Sequence, residues 1–135
     1  MATHLETKLE IKSWDEQPYR ELPDGRKFAR ADVVLVGTED DLAAEGGFES
    51  LLYYSADGTS SFVTLLHLSG RLGDHSGSFV LEGSGTYDGT TAKMALTVVP
   101  GSGTDELAGL SGAATSESTQ DNYPHMPLTL DYEIQ

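Results

Sequence analysis

The sequence predicts an all-β fold, an antiparallel barrel or sandwich of eight short strands, on three observations. Apolar runs with a period of two recur along the chain, turn signals rich in Gly and Asp separate them every ten or so residues, and no stretch sustains a helical period for three turns. At 135 residues the chain has the length of one domain, taken here as residues 1–135.

In order, "HLETKLEIKSW" alternates Leu5, Leu9 and Ile11 with His4, Glu6, Lys8, Glu10 and Lys12, the pattern of a half-buried strand. "WDEQPYRELPDGRKF" contains Pro18, Pro23 and Asp24-Gly25 and reads as a loop. "ADVVLVG" is a short β-branched strand, and "TEDDLAAEGG" is the one place for a helical turn, cut short by Gly46 and Gly47. Six further strands follow at Phe48–Tyr54, Ser61–Leu68, Ser78–Ser84, Thr91–Val99, Gly109–Ser116 and Pro127–Ile134. "SGAATSESTQDNYP" reads as a low-complexity, mobile stretch.

Charge and composition exclude several functions. With 22 acidic against 8 basic residues the net charge is −14, which repels nucleic acid and anionic membranes. There is no cysteine, so no disulfide, thiolate or Cys-ligated metal is expected, and the four histidines have no spacing that converges on a metal. No segment approaches a membrane span, and the amino end lacks the apolar stretch of a signal peptide, so a cytoplasmic protein is expected. "PGSGTDELAG" lacks the Lys-Ser/Thr ending of a phosphate loop, and its glycines suit a tight turn.

The hairpins decide which side chains face together. Asp57-Gly58 read as a two-residue loop sets Tyr53 opposite Phe62, Leu51 opposite Thr64 and Glu49 opposite Leu66. Asp88-Gly89 as a second such loop pairs Gly83 with Met94, Leu81 with Leu96 and Phe79 with Val98. Asp74-His75 between them joins Leu66 to Gly83, in preference to a three-residue loop that would place Leu66 against Glu82. The result is an inward row of Glu49, Leu66, Gly83 and Met94, in which the glycine leaves empty space and a single acid faces an apolar pocket. The opposite face, with Phe48, Leu52, Tyr54, Val63, Leu65 and Val80, is too apolar to stay bare and reads as a subunit interface. Trp14, closing the first strand, reads as a plug at a barrel mouth.

The stretches "KSWDEQPY", "SADGTSSFV", "SGSFVLEGSGTYD" and "VVPGSGTDELAGLSG", in this order, resemble an uncharacterised bacterial family with an allene-oxide-cyclase-like barrel. The resemblance runs from Leu5 to Tyr132. It implies a single closed antiparallel β-barrel of about eight strands with an open cavity, often assembled into oligomers, and no assigned activity. The better-known relatives of such barrels are plant cyclases acting on fatty-acid epoxides and dirigent proteins that steer radical coupling. Where that family has Leu-Glu-Arg-Val and then Gln-His, this chain has Leu65, Leu66, His67 and Leu68, then Glu82 and Gly83. Leu66 and Gly83 thus replace an inward Glu and His, which implies a more apolar ligand.

Together these readings predict a cofactor-independent cyclase or isomerase acting on a small, largely apolar molecule in natural-product metabolism. Glu49 would be the acid/base, its pKa raised by up to ~3–5 units if fully buried, the other reading being an ordinary solvated strand residue, and Tyr53 would orient an oxygen of the substrate. Leu51, Phe62, Thr64, Leu66, Phe79, Leu81, Gly83, Met94 and Leu96 would form the binding wall. The expected assembly is a homo-oligomer, a dimer or trimer. The alternative is a barrel that binds a small molecule, or acts as a chaperone, without turnover.

Overall fold

A computed structural model describes residues 2–135. Eight strands follow one another around a closed antiparallel barrel: β1 (Thr3–Glu21), β2 (Lys27–Glu39), β3 (Leu42–Tyr54), β4 (Ser60–Leu72), β5 (His75–Tyr87), β6 (Thr91–Val98), β7 (Leu110–Thr119) and β8 (His125–Ile134). Closure of the sheet leaves an inside and an outside, so alternate residues of each strand enter a common core. No helix among the described residues is long and apolar enough to cross a membrane.

β1 is longer than its sequence pattern predicts, because the segment read as a loop continues the strand. Its first half, Thr3 to Glu10, pairs with β8, and its second half, Glu10 to Glu21, pairs with β2. Pro18 is tolerated because the register shifts between Pro18 and Arg20, and a bulge leaves one residue free of the ladder. A second bulge, between Ile11 and Ser13, reverses the alternation. Odd residues Leu5 and Leu9 point into the core before it, and Trp14 and Glu16 line the interior after it.

The segment expected to hold a helical turn instead begins β3 at Leu42. Its two glycines permit close strand approach: a Cβ on Gly46 would lie 1.9 Å from the His67 carbonyl oxygen, and one on Gly47 2.1 Å from that of Val33. Helix propensity was the wrong guide here, because both neighbouring strands press on this backbone. "SGAATSEST" likewise belongs to a strand, β7, rather than to a mobile segment.

The β3–β4 hairpin differs from expectation by one residue. Gly58 N donates to Ser55 O at 3.1 Å and Ser55 N to Thr59 O at 2.9 Å, so Ala56, Asp57 and Gly58 form a three-residue loop with only Gly58 at positive φ, +89°. The Asp57 carboxylate accepts from Ser55 Oγ, Thr59 Oγ1 and Thr59 N, and these bonds, the Ser55 hydroxyl foremost, hold its pKa at about 2. The register is therefore Leu52 to Phe62, Ser50 to Thr64 and Phe48 to Leu66, and Glu49 lies opposite Leu65. The other two loops are Gly73-Asp74 and Gly89-Thr90. They pair Leu66 with Leu81 and Gly83 with Leu96, two residues from the expected partners.

The core fills one end of the barrel. Leu9, Leu35, Leu42, Leu68, Leu72 and Leu130 are fully buried there. The β6–β7 connection straps across this end. Thr104 N donates to Ser78 O, Ser78 N to Thr104 Oγ1, and Ser76 N to Glu106 Oε1, which brings Leu107 into the core. That packing explains the "PGSGTDELAG" stretch as a closure of the barrel base.

Candidate functional site

The opposite end is hollow. A cavity of about 570 Å³ opens between the ends of β3, β5 and β7, the starts of β4, β6 and β8, and the second half of β1. That volume falls within the ~300–1,000 Å³ range of small-molecule sites. Six aromatic side chains line it, Trp14, Phe48, Tyr54, Phe62, Tyr87 and Tyr123, with Ile11, Leu52, Met94 and Met126 among the aliphatic ones.

Glu16, His125, Gln120 and several Ser and Thr side chains supply the cavity's polar groups. Glu16 Oε2 accepts a 2.5 Å hydrogen bond from Tyr54 Oη, and Glu16 Oε1 accepts from Trp14 Nε1 at 3.2 Å. The Trp14 ring meets Phe48 edge-on at 5.8 Å, which holds the indole in the cavity wall. Deeper down, the hydroxyls of Ser50 and Thr64 bond each other at 2.7 Å, so both are satisfied without water. His125 lies exposed at the rim.

Burial, and then the hydrogen bond to Glu16, push the Tyr54 phenol well above its ordinary value. Tyr54 therefore acts as a donor through the neutral range and not as a base. The stability linked to it is complete below the ordinary phenol pKa of ~10 and falls as pH rises through the raised value. Alkaline titration followed at 295 nm should show a late-ionising tyrosine that Tyr54→Phe removes. An unchanged alkaline limb in Tyr54→Phe would refute this environment.

Of the residues expected at a site, Phe62 and Met94 line the cavity. Leu66, Phe79, Leu81 and Leu96 face inward but are packed into the core, at most 2% exposed. Thr64 is inward and engaged by Ser50. Gly83 makes no empty space, since a Cβ there would lie 2.0 Å from the Ala95 carbonyl oxygen.

Glu49, Leu51 and Tyr53 are on the outside, because the one-residue difference at the Ala56–Gly58 loop inverts β3 relative to the expected face. The Glu49 side chain is 64% exposed and pairs with Arg30 at 3.1 Å. Leu51 is 49% exposed, and Tyr53 packs on Phe28 with ring centroids 6.0 Å apart. Glu49→Gln should change stability by no more than about 0.5 kcal/mol in chemical denaturation, as for most exposed ion pairs. A loss of several times that would contradict the outward placement.

The expected interface face also divides. Phe48, Leu52 and Tyr54 are interior, and Val63, Leu65 and Val80 are exterior. The acid that does face the cavity, Glu16, was hidden in sequence by Pro18 and by the bulge after Ile11.

A closed eight-stranded antiparallel barrel, packed solid at one end and hollow at the other, is the class of protein that fold and site define. The chain belongs to the DUF3224 family, a family of proteins of unknown function, whose model matches residues 5–132. The uncharacterised family expected from the sequence motifs is thereby borne out. The chain is also similar to a DUF3224 protein of unknown function from Shewanella oneidensis MR-1, known from its crystal structure. The two share 24% identity over 100% of this chain and 99% of that one, with a TM-score of 0.79. At that identity the likeness establishes the fold. No curated protein matches the chain.

Proposed function

We propose that the chain is a cytoplasmic barrel that takes up a small, largely apolar molecule through its open end. The observation that carries this reading is the cavity itself, about 570 Å³, walled mainly by aromatic and aliphatic side chains above a solid leucine core. A cyclase or isomerase built on this site would draw its hydroxyl from Tyr54 and its carboxylate from Glu16, since Glu49 and Tyr53 are on the outer face. Binding without turnover needs neither, and is the function the geometry supports best.

Titration with the apolar fluorophore N-phenyl-1-naphthylamine tests it. Saturable binding is expected, and Ala92→Trp, which places an indole in the cavity from the start of β6, should abolish it. Binding that survives Ala92→Trp unchanged would locate the probe elsewhere.

A second reading concerns assembly. Val34, Leu51, Val63 and Leu65 lie 48–57% exposed on neighbouring outer rows of β2, β3 and β4. Such a patch favours burial. Arg30, Asp32, Glu49 and Glu82 border it with both signs of charge, so a second copy related by a two-fold axis could oppose Arg30 to acidic groups. Sedimentation velocity should show a homo-oligomer that Leu65→Lys dissociates. A wild-type monomer would overturn the reading.

A further inference from the structure

We propose that the occupant of the cavity carries a cationic head, an alkyl- or arylammonium group, beside its apolar body. This rests on the small-molecule reading above and names the chemical class of the ligand. Glu16 is a half-buried carboxylate whose two hydrogen-bond donors, Tyr54 Oη and Trp14 Nε1, are both neutral. Among the described residues no Lys or Arg comes within ion-pair distance of it, and none lines the cavity. A carboxylate partly removed from water gains from a counter-charge, and here Lys27, a cation over the neighbouring Tyr54 ring, forms no ion pair with it.

The surrounding rings add to the same preference. Trp14, Phe48, Tyr54, Phe62, Tyr87 and Tyr123 present π systems to the cavity, and a cation over such faces is attracted by the ring quadrupole. The chain uses this chemistry at the rim, where Lys27 Nζ stands 5.0 Å above the Tyr54 ring centroid. The net charge of −14 draws cations toward the opening and turns anions away. A fatty acid or another anionic amphiphile would meet Glu16 with like charge, so the site selects against it.

The experiment compares three ligands of one chain length, decyltrimethylammonium, 1-decanol and decanoate, by calorimetry below their micelle concentrations. The cation should bind roughly ten-fold tighter than the alcohol, and decanoate weakest. Glu16→Gln should remove most of the cation's advantage over the alcohol, keeping only the part the rings supply, and leave alcohol binding unchanged. Glu117→Gln, exposed on β7, should keep the preference and so separates Glu16 from the general acidity of the surface. Trp14→Leu, which keeps the carboxylate, should reduce the preference in part and serves if Glu16→Gln fails to fold.

Equal affinities for cation and alcohol, or a preference undiminished by Glu16→Gln, would overturn the cationic class while leaving the cavity reading intact. Failure of all three ligands to bind would overturn both.

Discussion

Gly46→Ala should cost the barrel more than about 3 kcal/mol, seen as a fall in melting temperature of roughly 6–12 °C or more. The reason is backbone, not side chain. The added methyl would sit 1.9 Å from the carbonyl oxygen of His67 on β4, where no rotamer change can relieve it. Nor can β3 retreat toward its other neighbour. Gly47, the next residue, is pressed on the Val33 carbonyl of β2, with 2.1 Å left for a Cβ. The two glycines hold β3 between β2 and β4 at a separation that only hydrogen atoms fit. A melting temperature near that of the wild type would mean that the strands part without loss, and would refute this account of their packing.

Leu66→Ala should cost about 2–5 kcal/mol, through lost apolar burial and the void left in a core that relaxes only in part. Leu66 has no exposed surface, whereas Leu65 beside it is 57% exposed. Leu65→Ala, measured at dilutions where any association is absent, should change subunit stability by no more than about 0.5 kcal/mol. The contrast tests the hairpin register directly, since shifting β4 by one residue exchanges the two side chains between core and surface. Greater damage from Leu65→Ala than from Leu66→Ala would show that the register is wrong.

Much of the fold was legible because alternation and turn residues report a β-sheet locally. Phe62, Thr64, Leu66, Phe79, Leu81, Met94 and Leu96 face inward as alternation predicts, although several of their cross-strand partners differ from those the turn residues predict. The reason is parity. Two loops were displaced in such a way that partners changed by two residues, and a shift of two leaves each side chain on its own face. At Asp57-Gly58 the difference was one, and Glu49, Leu51 and Tyr53 moved to solvent together.

The dipeptide alone could not separate a two-residue from a three-residue loop, which here depends on hydroxyl bonds from Ser55 and Thr59 to Asp57. The true mouth was hidden for a related reason. The bulge between Ile11 and Ser13 reverses the inward set without a Gly to mark it, so Trp14 and Glu16 look misplaced in any pattern that assumes an unbroken strand.

The division of β1 between two neighbours bears on the order in which the chain can acquire its shape. From β2 to β7 every strand pairs with the next in sequence, so each hairpin can form as soon as its second strand has emerged during synthesis. β1 pairs early with β2 through its second half, but its first half has no partner until β8 is complete, when Thr3 meets Tyr132. Closing that seam spans nearly the whole chain and is the contact of greatest loop entropy. The cavity walls come from both sides of it, Ile11 and Trp14 from β1 and His125 and Met126 from β8. Until β8 pairs with β1, the part of the cavity wall that His125 and Met126 supply is missing, so the pocket is complete only once that seam is closed.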